Sequence, residues 1–484
     1  MKTLSKLLYN LKIDNILGSQ SVQVSAIVFD SKKVIDASLF VAIKGSESDG
    51  HEYINNAISN GAHAIVCEFL PIELNPQVTY VQVPNSSYSL GFLASNFYNN
   101  PSGKIKLIGV TGTNGKTSIA TYLYELFQKL NFRTGLISTI ENKINNKFLA
   151  SNLTTPDPIE INSLLSLMIQ EDCTYCFMEV SSHGIAQNRI AGLSFDIGVF
   201  SNITRDHLDY HNSFDKYLNT KKQFFDSLDD SAKSIVNIDD KYALSMLTHS
   251  KSNKFFYGLN KSAHYNTSIL ESSLSGLSLE ICNTRINTML VGDFNAYNIL
   301  AVFAVASELG QDKHQVLNLL STIHHVSGRF NIFQSENGIT GIIDYAHTPD
   351  ALIKVIKSIS NFCTIQRDLI IVVGCGGNRD KGKRSLMGKI AFENSKKVIF
   401  TSDNPRFEKP ESIIEDMCID LPDDIDGKIY KIINREEAIN FAVNSASSRS
   451  IILVAGKGHE KFQEINGQKK SFCDSQILTK ILKI

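Results

Sequence analysis

The residues best suited to chemistry lie in "GVTGTNGKTS", positions 109 to 118. Gly112 and Gly115 permit a close backbone approach, so the N–H groups of the loop and of the helix that follows can converge on an anion. Lys116 adds a point charge and Thr117 a hydroxyl for Mg²⁺, with Thr113, Asn114 and Ser118 completing the loop. That chemistry is phosphate binding, yet the spacing is unusual. The common pattern is a glycine, four residues and Gly-Lys-Ser/Thr, and Val110 stands where its first glycine belongs. A structural turn carrying an exposed lysine is the competing reading. Two further residues could act on charged groups. Glu179 ends the apolar run "YCFMEV", where a carboxylate could ligate a hard cation. Arg406, behind the stiffening Pro405 in "DNPR", presents a planar fork that fits a carboxylate.

These residues need rigid elements to hold them. "KIKLIGV" reads as a strand entering the loop, and Ile119, Leu123, Leu126, Phe127 and Leu130 share one face of the helix leaving it. Strand and helix patterns alternate along most of the 484 residues, which predicts an α/β chain with largely parallel sheets. The expected organisation is a smaller N-terminal α/β domain over 1–101, a central P-loop-type domain over 102–326 and a C-terminal Rossmann-like, doubly wound sheet over 327–484. "NNPSGK" reads as the first linker and "HVSGRF" marks the second boundary. "LSLEICNTRINTMLVG" reads as an antiparallel excursion. In the last third, each loop after a strand's carboxyl end is a candidate ligand site.

Composition narrows the function classes. With 43% hydrophobic and 20% charged residues the chain is an ordinary globular one, and a formal net charge of -1 gives no global attraction to nucleic acid or an anionic membrane. Anions must be bound locally. The N-terminus, interrupted by Lys6, Lys12 and Asp14, does not read as a signal peptide, and no long apolar run follows. The expectation is a cytoplasmic monomer acting on small molecules. Eight scattered cysteines fit a reducing compartment, and the Cys173/Cys176 pair in "CTYC" lacks a second pair to complete a zinc site. His183 beside Ser181 and Ser182 lacks the G-x-S-x-G elbow of a hydrolase, and "GCGGNRD" places Arg379 where a dinucleotide fingerprint needs its third glycine.

The shortened loop "TGTNGKTS" resembles the ATP loop of the Mur ligases and their folate-polyglutamate relatives. The resemblance extends in order through "DSKKV", "NLTTPDP", "MEVSSHGIAQNR", "SNITRDHLDYH", "GDFNAYN", "SGRF", "DYAHTPDAL", "GCGGNRDKGKR", "DNPR" and "GKGHE". It implies a cytoplasmic, Mg²⁺-dependent ligase. ATP would activate the D-glutamate carboxylate of UDP-N-acetylmuramoyl-L-alanyl-D-glutamate as an acyl phosphate, and the amine of meso-diaminopimelate would displace phosphate. By the same resemblance the catalytic residues are Lys116, Glu179, His207 and Lys221. Thr117, Glu179, His207 and a carbamylated Lys221 would hold metal. Asn298 and Arg329 would contact the nucleotide and Asp344 its ribose. Ser31 would meet the uridine side, and Thr154, Thr155, Ser182, Gln187 and Arg189 the muramoyl dipeptide. Arg379, Asp403, Asn404, Pro405, Arg406, Gly456 and Glu460 would surround diaminopimelate, with Glu460 suited to its distal ammonium.

Two positions depart from the pattern. Lys32 stands where relatives usually carry arginine, and Ser327 where they carry proline. Lysine keeps the charge but loses the fork. Two rivals remain at this point. A folate-polyglutamate ligase shares the ATP loop but has no use for "DSKKV" or "DNPR", and a P-loop switch protein would leave His207, Lys221 and Arg406 without work.

Overall fold

A computed structural model describes residues 1–45, 48–360, 368–422 and 427–483. Three sheets organise it, and the central one has eleven strands. Its middle is parallel, in the order Thr134–Ile137, Tyr175–Glu179, Lys106–Thr111, Ile197–Phe200, Lys233–Asn237 and Asn253–Gly258. Alternate residues of these strands feed two cores. Ile108, Val110 and Phe177 pack with the helices Lys116–Lys129 and Phe294–Glu308, while Leu107, Cys176 and Met178 pack with Pro158–Gln170 and Phe214–Asp226. Burial on both faces is what a parallel sheet requires.

The antiparallel excursion is a ribbon of three strands, Tyr265–Ser273, Gly276–Ile281 and Thr284–Thr288, appended to one edge. At the other edge lies a hairpin, Glu141–Ile144 with Lys147–Ala150. This hairpin is absent from the sequence reading, because its second strand is wholly exposed and carries no alternating pattern. "NNPSGK" is more than a tether. Pro101–Gly103 forms a 3₁₀ turn with Pro101 and Ser102 buried, and the Ser102 hydroxyl accepts from the Ser194 amide at 3.1 Å.

The N-terminal sheet runs Asn15–Leu17, Thr79–Gln82, Ala62–Cys67, Ser38–Val41, Ala26–Val28. Its helix Ser86–Phe97 touches the central unit so closely that a Cβ on Gly91 would overlap the Ala191 carbonyl. The C-terminal sheet runs Asn331–Gln334, Thr340–Asp344, Ile451–Ala455, Leu369–Val373, Lys397–Phe400, Ile429–Lys431, parallel except for its first strand. The loops after its carboxyl ends face the central sheet's phosphate loop across one cavity of about 830 Å³. No helix among the described residues is long and apolar enough to cross a membrane.

Candidate active site

The strand Lys106–Thr111 delivers the chain into a loop that only glycine tolerates at two points. Gly112 has φ +147° and a Cβ there would overlap Ser201 Oγ, while Gly115 has φ +90° and lies against Asn298 Oδ1. Lys116 opens the helix and folds back, its Nζ donating to the carbonyls of Gly112 and Thr113 at 3.0 and 2.9 Å. Lys221, 1% exposed on the helix Phe214–Asp226, donates to the same Gly112 oxygen at 2.8 Å. Burial drives the pKa of Lys221 well below the usual lysine value, and Lys116 adds to that effect. Burial also lowers Lys116, against the pull of Glu179 and Asp206.

Thr117 and Glu179 meet, the hydroxyl donating to the fully buried carboxylate at 3.0 Å. Glu179 also accepts from the Thr139 amide at 2.8 Å and the Thr139 hydroxyl at 3.2 Å, and that hydroxyl lies 3.0 Å from Thr154 Oγ1. His207 adopts φ +54° and its ring lies 4.8 Å from that of His183. Burial depresses the His207 pKa to about 3 despite the opposing charge of Asp206, so the ring is neutral with a free lone pair. His183, considered above only as a hydrolase base, packs edge-on against His207 and tilted against Tyr210 within the cavity wall.

The nucleotide candidates form a second group. Asn298 donates to Asn295 Oδ1 at 3.0 Å. Asp344 accepts from the amides of Phe330 and Ala346 at 2.8 and 2.7 Å, and burial raises its pKa to about 6. Arg329 donates to Thr117 Oγ1 at 3.1 Å while its guanidinium lies 4.4 Å from the Tyr345 ring centre. The phosphate loop has another tie to the C-terminal unit that sequence reasoning missed. Asp350, on the helix Pro349–Ser360, accepts from Asn114 Nδ2 at 2.9 Å and from Thr204 Oγ1 at 3.3 Å.

The third group surrounds Arg406, a non-glycine residue at φ +51°. Its Nη1 donates to the Gly377 carbonyl at 2.8 Å. The loops "GCGG" and "DNPR" press together, since a Cβ on Gly377 would overlap the Pro405 carbonyl. Arg384, 1% exposed, fastens them by pairing with Glu408 at 2.9 Å and donating to the Gly376 carbonyl at 3.3 Å. Asn404 Nδ2 donates to Glu460 Oε2 at 2.8 Å. Lys457, inside "GKGHE" but unassigned from sequence, is fully buried and bridges Asn404 Oδ1 and Glu460 Oε2 at 2.9 and 2.7 Å. Beneath this loop, Arg435 and Asp474 form a fully buried pair at 2.7 Å, and Arg435 also holds the Ala455 carbonyl at 3.0 Å.

Most predicted residues line the one cavity, including Ser182, Arg379, Asp403 and Gly456. Five do not: Ser31, Gly112, Thr155, Gln187 and Pro405. Ser31 lies in a 3₁₀ turn of the N-terminal unit, Ser31–Lys33. Thr155 is buried and ties the end of the Glu179 strand to the Ser181 amide, which makes it scaffold in this arrangement. Gln187 accepts from Arg189, which in turn donates to the Thr155 carbonyl at 2.6 Å. Among the described residues no cluster of three or more His, Cys, Asp or Glu side chains could hold a metal by itself, Cys173 and Cys176 included. Mg²⁺ is the cation least in need of one, because it usually keeps water and phosphate oxygens as ligands.

Known proteins match this chain throughout. Residues 23–98 match the Mur ligase family catalytic domain, 110–306 the Mur ligase middle domain and 328–458 the Mur ligase glutamate ligase domain. A UDP-N-acetylmuramoyl-L-alanyl-D-glutamate--2,6-diaminopimelate ligase of Phocaeicola vulgatus is 47% identical over 478 residues, 99% of each chain. The like-named protein of Bacteroides fragilis is 46% identical over 481 residues, again 99% of each chain. A solved structure of a ligase with that name superposes with a TM-score of 0.69 at 29% identity, covering 100% of this chain and 99% of the other. The chain belongs to the Mur ligase family.

Proposed function

We propose that this ligase joins meso-diaminopimelate to the D-glutamate carboxylate of UDP-N-acetylmuramoyl-L-alanyl-D-glutamate, releasing ADP and phosphate. The observation that carries the reading is a convergence. The phosphate loop, whose Gly112 carbonyl takes Lys116 and the buried Lys221, and the guanidinium of Arg406 line one cavity.

A carboxylate does not form an amide with an amine at neutral pH, so it is first phosphorylated by ATP. Positioning and charge neutralisation carry most of that step. Lys116 is placed to exchange its carbonyl partners for phosphate oxygens. The buried Lys221 amine, depressed in pKa, can capture CO₂: a new N–C bond forms, a proton leaves, and an anionic carbamate remains. The residues fit a divalent cation. Thr117 and Glu179 are already 3.0 Å apart, His207 is neutral, and carbamylated Lys221 would add oxygen ligands. When bound, Mg²⁺ neutralises charge on the triphosphate during phosphoryl transfer. Asn298, Arg329 and Asp344 would hold the nucleotide. Ser31 would meet the uridine side, with Thr154, Ser182 and Arg189 along the dipeptide.

Specificity for the added amino acid would rest on Arg406 toward the distal carboxylate and on Glu460, with Asn404, toward the distal ammonium. Lysine lacks that carboxylate and would leave a guanidinium unpaired, a mismatch that can discriminate by roughly 10⁴. The units that share the work would divide near 101 and 326. Phosphate release in the presence of the muramoyl dipeptide and ATP tests the proposal. It should depend on diaminopimelate, and equal kcat/KM for lysine would sink it.

A further inference from the structure

Arg406 does not hold its own position. Its left-handed backbone is fixed by the hairpin Phe462–Ile465 with Gln468–Ser471: the Arg406 amide donates to the Glu464 carbonyl at 3.0 Å, and the Asn466 amide donates to the Arg406 carbonyl at 2.7 Å. One residue of that hairpin reaches both sides of the amino-acid site. The Glu464 amide donates to Asn404 Oδ1 at 3.0 Å, and its carboxylate lies 3.4 Å from Arg406 Nε. The guanidinium is thus hydrogen-bonded at Nη1 to the Gly377 carbonyl and ion-paired at Nε with Glu464, while Nη2 makes no hydrogen bond among the described residues. A planar fork hydrogen-bonded at one nitrogen and drawn toward a carboxylate at another presents the third in a preferred direction.

We propose that Glu464 is a positioning residue for amino-acid specificity. Its carboxylate orients Arg406 so that the free edge of the guanidinium meets the distal carboxylate of the substrate. The inference rests on the assignment of Arg406 to that carboxylate, and it adds a residue outside every motif named above. Among the described residues no hydrogen bond or ion pair joins Glu464 to the phosphate loop, so its effect is confined to one substrate. Both side chains are partly exposed, at 20% for Arg406 and 25% for Glu464, which limits the expected effect to that of a solvent-screened ion pair.

The test is steady-state kinetics on the full-length enzyme with Glu464→Ala and Glu464→Gln. The alanine variant should raise KM for diaminopimelate about fivefold and reduce the preference over lysine by a similar factor, with KM for ATP and for the nucleotide sugar unchanged. Glutamine keeps an acceptor oxygen but not the charge and should restore part of the loss. A KM for diaminopimelate that stays constant or falls in the alanine variant overturns the proposal, as does an equal rise in KM for ATP. The underlying assignment is checked separately by Arg406→Lys in the otherwise native enzyme. If that change destroys diaminopimelate preference while Glu464→Ala does not, only the role of Glu464 fails.

Discussion

Lys116 and Lys221 donate to one acceptor, the carbonyl oxygen of Gly112, at 3.0 and 2.8 Å. Two ammonium groups so placed would repel, and burial removes the water that would screen them. The native chain therefore binds fewer protons than the unfolded chain between the depressed pKa of Lys221 and 10.5, its ordinary value. Lys221 thus penalises folding at neutral pH, and the penalty fades as pH rises toward 10.5. In CO₂-free buffer Lys221→Met should stabilise the protein by about 1–3 kcal/mol in chemical denaturation near pH 7 while abolishing ligation. The Gly112 carbonyl is not orphaned by this change, because Lys116 still donates to it. With ¹³C-bicarbonate, native enzyme should give a carbamate NMR signal that the methionine variant lacks.

Asp350 links the C-terminal unit to the phosphate loop through Asn114. Asp350→Ala should raise KM for ATP about fivefold and leave KM for the nucleotide sugar within twofold, as expected from losing a hydrogen bond to a partly solvated carboxylate. Unchanged ATP kinetics would remove Asp350 from the nucleotide site.

The Arg384–Glu408 pair makes stability depend on acid. Hydrogen bonding from Arg384 depresses the Glu408 pKa from 4.5 to about 2, so its stabilisation is present above 4.5 and lost as pH falls through about 2. Glu408→Gln should be about 1–2 kcal/mol less stable than the native protein at neutral pH, given solvent screening at the loop rim. The difference should shrink in urea titrations at about pH 3.

Gly376 offers a steric test of the amino-acid site. A Cβ there would sit 3.0 Å from Arg406 Nη1, so the guanidinium, hydrogen-bonded to the Gly377 carbonyl, must give way by a few tenths of an ångström. Gly376→Ala should weaken kcat/KM for diaminopimelate about tenfold while the KM for ATP holds. Competition assays with lysine would register the lost discrimination.

Much of this was legible in the chain itself. The strand, glycine loop and amphipathic helix around Lys116 are local features, and the meeting of Thr117 with Glu179 follows from loops at the ends of neighbouring parallel strands. What escaped was set by distant pairing. Asp350 and Asn114 are 236 positions apart, and nothing local marks Asp350 as a partner of the loop. Lys457 stood within a quoted motif, yet its burial depends on Asn404, 53 positions earlier. The hairpin that holds Arg406 is short and polar, so no hydrophobic period announces it. Thr155, a motif residue, also does structural work at a strand end that its motif does not announce.

The fully buried pair of Arg435 and Asp474 also sets a condition on biosynthesis. Asp474 begins the helix Asp474–Leu482, so the turn after Ala455 gains its anchor only when that segment has left the ribosome. A nascent chain arrested before it would keep its nucleotide loop but leave Arg435 buried without its partner, beneath the loop proposed to meet the incoming amino acid.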